Sequence, residues 1–255
     1  MSQRTSKPAK AGKLAKRRPL IARDTGIIPA LDVDDVERLK RIVAATAEVD
    51  GVVGYKLGAV IALRLGLGPA IQAIRQLTDL PVLYDHQKAG TDIPSMSDGF
   101  TKVCREAGAD GLVLFPLAGR EAVRQFAERT RKRGMTPLVG GELPYPEYRA
   151  SHGGFVHDGA LSRILDEATA AGVDHVIIPA NDPRKVRRHL GAVRRRIERP
   201  WAFLPGIGTL GGSIDEAFAA AEGCRRYAII GRSILSARRP ATMARRFAEE
   251  ALKYA

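Results

Sequence analysis

Eight times along this chain a short apolar or β-branched run is followed by a longer stretch whose apolar residues fall at helical spacing, and few folds accept that pattern. The runs occupy residues 27–33, 51–57, 81–88, 111–117, 136–143, 175–180, 201–207 and 227–233. Most begin 24 to 30 residues after the one before, with a longer gap only before His175. Such spacing leaves room for one helix between consecutive strands, which parallel pairing needs, because a parallel neighbour is reached only by a crossover of about a dozen residues or more. Eight units predict an α/β chain closed into a (β/α)8 TIM barrel rather than an open doubly wound sheet. A length of 255 residues fits a single barrel. The first run ends Ala30-Leu31-Asp32-Val33-Asp34, without the glycines of a dinucleotide fingerprint.

The intervening segments support the outer layer of such a barrel. After Asp34, the residues Val36, Leu39, Ile42, Val43 and Ala47 share one face, with Glu37, Arg38, Lys40 and Arg41 elsewhere. Comparable patterns predict helices over 69–77, 99–107, 121–132, 161–170, 184–195, 213–221 and 241–253. The strings Ala107-Gly108-Ala109-Asp110 and Ala171-Gly172-Val173-Asp174 read as the helix stop and strand entry of one repeated unit. Residues 24–255 are thus expected to form the barrel, with an elaborated loop after the fifth strand, between Glu142 and Val173, lying over its active face.

Charge matters chiefly for where it sits. The chain carries a net +13, but residues 1–23 hold eight Lys or Arg and no acid, so much of the excess belongs to a polar, solvated tail. Nucleic-acid binding through that tail is a possible but not favoured reading. With 45% hydrophobic residues and no apolar run near the ~20 residues of a membrane span, a soluble protein is expected. No apolar stretch follows the basic start, so cytoplasmic residence is the default. Cys104 and Cys224 read as plain thiols, and His152, His157, His175 and His189 lack metal-pair spacing, so no metal site is expected.

Chemistry is sought at the carboxyl ends of the strands, where barrels place their sites. Asp32 ends the first strand, Lys56 lies in the second, Asp85, His86 and Lys88 in the third with Asp92 beyond, and Gly231-Arg232 ends the eighth. A charge inside a barrel is costly unless paired, so these predict a mutually neutralising array. Singly, Asp32 would serve as a helix cap and Lys56 would snorkel to solvent. His86 either points into the site or forms a bulge. Pro205-Gly206-Ile207-Gly208-Thr209-Leu210-Gly211-Gly212 after strand seven offers backbone amides, and Arg232 a guanidinium, where barrels hold phosphate.

These residues carry a family resemblance. Asp85-His86-Gln87-Lys88-Ala89-Gly90-Thr91-Asp92-Ile93-Pro94 resembles the Asp-X-Lys-X-X-Asp-Ile-Pro signature of orotidine 5′-phosphate decarboxylases. Leu31-Asp32 and Tyr55-Lys56-Leu57-Gly58 are similar to that family's first two strands, and Pro205-Gly206-Ile207-Gly208 with Gly231-Arg232 to its phosphate end. The resemblance implies cofactor-free decarboxylation of orotidine monophosphate to UMP in a homodimer. In it Asp32 would contact the ribose, Lys56 would join the charge network, Asp85 would crowd the substrate carboxylate and Lys88 would protonate the carbon left behind. Asp92 would reach the partner's site, with Ile93 beside it on the substrate. Pro205, Gly206, Gly208, Gly211, Gly231 and Arg232 would hold the phosphate.

The chain also departs from the pattern. Asp85 and Lys88 are three apart instead of two, which in a regular strand sets them on opposite faces. Convergence then requires a bulge near His86-Gln87 or a strand that stops at Asp85. Lys88 and Asp92 are one residue further apart than in the motif, Ser95-Met96-Ser97 follows Pro94 where a Thr is expected, Leu210 replaces a Gln, and no Ser stands near Glu142-Leu143-Pro144. Two alternatives stay open: a sister barrel enzyme acting on a sugar phosphate, with Asp85 or Asp92 turned to Mg2+, and a non-catalytic barrel that binds a phosphate ligand or nucleic acid.

Overall fold

The computed structural model describes residues 19–86 and 91–255. Strands β1 (Thr25–Leu31), β2 (Tyr55–Leu57), β3 (Val82–Asp85), β4 (Gly111–Leu114), β5 (Thr136–Val139), β6 (His175–Ile177), β7 (Trp201–Pro205) and β8 (Arg225–Ile230) close into a barrel in sequence order. Every neighbouring pair is parallel, and β8 returns to β1 through Ile28↔Ile229. The helices are α1 (Val36–Thr46), α2 (Ala59–Leu65), α3 (Leu67–Arg75), α4 (Ser97–Glu106), α5 (Arg120–Lys132), α6 (Ala160–Ala170), α7 (Pro183–Arg194), α8 (Ile214–Ala220), α9 (Arg232–Leu235) and α10 (Pro240–Leu252).

Strand alternation sorts the apolar residues into two cores. Ile28, Leu83, Val113, Leu138, Phe203 and Tyr227 fill the barrel, while Ile27, Tyr55, Leu57, Tyr84 and their neighbours pack against the helices. Strands buried on both faces read as continuous apolar runs, which is why they stand out in the sequence. In α1, Leu39, Ile42 and Val43 are buried as the amphipathic pattern requires, each contributing about 1.5–3 kcal/mol of apolar burial. Asp35, not Asp32, caps this helix, accepting from Arg38 N at 2.9 Å. Asp32 is therefore left for the barrel mouth.

The strands are shorter than the sequence pattern suggests. The expected third strand over 81–88 stops at Asp85, and the expected fifth over 136–143 stops at Val139. Apolar residues continue past the ladder because loops and the barrel mouth bury them too; Phe115 is 2% exposed one residue beyond β4. The second strand begins at Tyr55 instead of Gly51, since Gly51 adopts φ 90° and Val52 makes only an isolated bridge with Ile27. The expected eighth strand over 227–233 ends at Ile230, and Arg232 and Ser233 enter α9.

At the amino-terminal end of the barrel, Trp201, His175, Phe203 and Tyr227 stack as an aromatic floor. Ile21 is buried against it and the Tyr227 hydroxyl donates to Arg23 O at 2.6 Å. The boundary of the expected tail at Arg23 thus falls inside packed structure, while residues 1–18 lie outside the described residues. Among the described residues, no helix is long and apolar enough to cross a membrane. Cys104 and Cys224 are both buried, with burial pushing their thiols up to about 12 and about 11.

Candidate active site

The carboxyl end of the barrel opens into a cavity of about 220 Å³. Strand register supplies one wall. Lys56 lies beside Ala30 of β1 and Leu83 of β3, and Asp85 lies two residues further up β3 opposite Val113. Since Tyr55 and Leu57 face the helices, Lys56 must face inward. Its ammonium donates to Asp85 Oδ2 at 2.5 Å and to Asp32 Oδ1 at 3.3 Å. Lys56 and Asp85 are 8% and 7% exposed, whereas Asp32 is 45% exposed and opens toward the cavity mouth. Gly58 makes room for this arrangement, because a Cβ there would fall 2.0 Å from Asp32 Oδ1.

Two effects compete over the lysine. Burial works against the ammonium, but Asp85 and then Asp32 outweigh it, and the pKa of Lys56 rises. The lysine therefore stays charged at neutral pH, a fixed cation in a dry place. That is the array expected from the strand ends. Lys56 also stands between the two carboxylates where the magnesium reading would need its ion. Among the described residues, no group of three or more His, Cys, Asp or Glu is placed to hold a metal.

The opposite wall comes from the loops after β7 and β8, with Pro205, Gly206, Gly231 and Arg232 on the cavity. The guanidinium of Arg232 has no ion-pair partner among the described residues. It heads the short helix α9, whose first amides have no intrahelical acceptor. A cationic fork beside free amides suits a phosphate.

The glycine loop contributes less than its sequence suggests. Gly208 N donates to Gly212 O at 2.9 Å, Gly211 N to Gly208 O at 2.9 Å and Gly212 N to Gly206 O at 3.0 Å. These amides are used to close the turn, so Gly208 and Gly211 do not line the cavity as ligand donors. Their role is shape: a Cβ on Gly208 would fall 2.3 Å from Ser233 Oγ, and Thr209 N approaches that same oxygen at 3.4 Å.

Other expected residues stand apart. Asp92 and Ile93 are exposed and do not line the cavity; Asp92 Oδ1 accepts from Ile93 N at 2.7 Å at the start of a 3-10 turn, Pro94–Met96. Lys88 and Gln87 lie outside the described residues. Of the two ways to reconcile the Asp85–Lys88 spacing, β3 takes the second and ends at Asp85. His86 does not line the cavity: its ring packs 4.5 Å from that of Phe100 in α4, and its Nδ1 lies 2.9 Å from the Tyr84 hydroxyl. Burial lowers its pKa, against a smaller opposing pull from Asp85.

Sequence reasoning passed over Leu143, Pro144, Thr209 and Leu210, all of which line the cavity. The available signal was position alone, since each follows the end of a barrel strand. The loop after β5, expected over the active face, does place Leu143 and Pro144 there.

Comparison with known proteins agrees with this geometry. The model of the orotidine 5′-phosphate decarboxylase / HUMPS family matches residues 25–247. The orotidine 5′-phosphate decarboxylase of Methanosarcina acetivorans is 31% identical over 231 residues, covering 89% of this chain and 95% of that protein. The enzyme of that name from Pyrococcus furiosus is 31% identical over 232 residues, covering 88% and 96%. A crystal structure of orotidine 5′-monophosphate decarboxylase from Methanocaldococcus jannaschii complexed with the inhibitor BMP shares the fold, with a TM-score of 0.76 at 23% identity over 89% of this chain and 98% of that one. A family match along most of the sequence, with relatives at 31% identity over nearly their full length, identifies the chain as a member of the orotidine 5′-phosphate decarboxylase / HUMPS family.

Proposed function

We propose that this protein is an orotidine 5′-phosphate decarboxylase, a carboxy-lyase of pyrimidine biosynthesis that converts orotidine monophosphate to UMP and CO2 without a cofactor. One observation carries the reading: Lys56, buried between Asp85 and Asp32, shares a cavity with Arg232. The phosphate binds Arg232 and the first amides of α9, and the pyrimidine lies toward the charged wall. The binding energy of the remote phosphate brings the substrate carboxylate close to Asp85. Like charges repel there, and the repulsion is relieved as the carbon–carboxyl bond breaks and neutral CO2 leaves. The electron pair stays on the ring carbon, where the fixed Lys56 ammonium stabilises it. Lys88 supplies the proton that completes UMP and recovers its own from water. Asp32 holds the ribose.

The working form is a homodimer. Val60 and Leu63 of α2 and Ile93, Met96 and Val103 around α4 are large apolar side chains exposed on the segments that follow the adjacent strands β2 and β3. Such a patch favours burial against a second copy, which would let the exposed Asp92 act on the partner's cavity. Incubation of the purified protein with orotidine monophosphate in EDTA is expected to yield UMP. Absence of turnover, or activity restricted to a sugar phosphate with added Mg2+, would contradict the assignment.

A further inference from the structure

We infer that Glu142 is a positioning residue, a buried carboxylate that pins the Leu143-Pro144 roof over the cavity through Lys185 and Arg149. Glu142 is 8% exposed and lies outside the cavity wall, three residues beyond the end of β5. Its Oε1 accepts from Lys185 Nζ at 2.7 Å and stands 3.6 Å from Arg149 Nε. Lys185 belongs to the first turn of α7, while Arg149 sits between two 3-10 turns of the loop after β5, Pro146–Tyr148 and Ala150–His152. One carboxylate therefore joins three separate segments.

The adjoining residues explain what the junction holds. Leu143 and Pro144 line the cavity, and a Cβ on Gly206 would lie 3.0 Å from Pro144 Cβ, so the roof rests on the loop after β7. The Tyr148 hydroxyl donates to Gly141 O at 3.1 Å and ties the far side of the loop back to its root. A buried ion pair adds little to stability compared with a well-packed apolar replacement, so its use at the root of the roof points to placement. Shape is what the roof contributes: it bounds the space between Arg232 and the charged wall without supplying a charge of its own.

This inference rests on the cavity being the orotidine monophosphate site, and its test separates the two. In the unliganded Glu142→Ala protein, amide hydrogen exchange over residues 143–149 is expected to speed up about tenfold or more, with exchange in β7 unchanged. With orotidine monophosphate, KM is expected to rise about tenfold while kcat stays within about twofold, the pattern of lost uniform binding. Glu142→Gln, which keeps an acceptor for Lys185, should recover part of both effects. Should Glu142→Ala fail to fold, Lys185→Met reads the same link from its other end. Wild-type exchange over 143–149 in the folded variants, or a fall in kcat at unchanged KM, would overturn the role of Glu142. Wild-type protein without turnover would instead remove the substrate assignment and leave the exchange result standing as a test of the anchor.

Discussion

The two ends of this barrel carry similar residues in opposite circumstances. At the carboxyl end, Lys56 and Asp85 are buried and share their charges inside a cavity of about 220 Å³. At the amino end, a wider depression of about 650 Å³ is lined by Asp79, Asp110, Arg131, Asp174, His175 and Trp201. There Asp24 meets Arg199 at 2.6 Å and Arg225 at 2.9 Å with both sides in contact with solvent. Arg225 lies over the Trp201 ring at 4.5 Å, and His175 stacks on that ring from within. Size alone would choose the wrong end. Exposed pairs contribute about 0–1 kcal/mol each, whereas breaking a buried pair costs about 3–5 kcal/mol. The carboxyl end therefore carries the charges whose placement has a high cost and whose chemistry can use it; the amino end is a floor.

That contrast is sharpest for Lys56. Lys56→Met should lower kcat by about a thousandfold or more, roughly 4 kcal/mol of transition-state stabilisation, because a preorganised cation in a dry site is lost. Asp24→Asn at the other end should leave kcat within about twofold in the same assay. Equal losses in the two variants would erase the division between the ends.

The floor answers to stability instead. Trp201→Ala removes a 5% exposed side chain from the aromatic stack and should cost about 3–4 kcal/mol in urea unfolding, with kcat per folded molecule retained. An intermediate effect is expected at the phosphate end. Arg232→Ala should weaken UMP binding by about 2 kcal/mol, roughly thirtyfold by calorimetry, with melting temperature little changed.

The smallest effects are in pH dependence, and the two ends should differ in sign. Lys56 has its pKa raised above the ordinary 10.5, so it contributes stability below that pH and loses it as pH rises through the elevated value. Burial acts to raise the pKa of Asp174, but its bond to His175 leads the effects that bring it below 3.8; its contribution is present above that pH and lost on further acidification. Unfolding curves of Lys56→Met should therefore converge on those of the wild type only at high pH. Those of Asp174→Asn should do so only at low pH, with a difference below about 1 kcal/mol because Asp174 is 51% exposed.

Much of this organisation is legible in the sequence because two-sided strands and one-sided helices leave distinct periods. The inward direction of Lys56 follows from Tyr55 and Leu57 on either side of it, and the stop at Asp85 was one of two solutions demanded by its spacing from Lys88. What stays hidden depends on contacts made across long stretches of chain. The pairing of Glu142 with Lys185 joins β5 to α7, and nothing local in Glu142-Leu143-Pro144 announces it. Glycine composition misleads in the loop after β7, since the residues that permit close approach to a ligand also permit the turn that consumes the Gly208, Gly211 and Gly212 amides. Asp92 and Ile93 carry a recognisable motif yet stand outside the cavity of a single chain, because a sequence motif does not record which copy completes a site.

The most direct measurement is a crystal structure of the protein with UMP bound. The phosphate should contact Arg232 and the amides that begin α9, and the pyrimidine should lie against Lys56 and Asp85. UMP seated at the Trp201 end, or Lys88 directed away from the cavity that holds Arg232, would contradict the account.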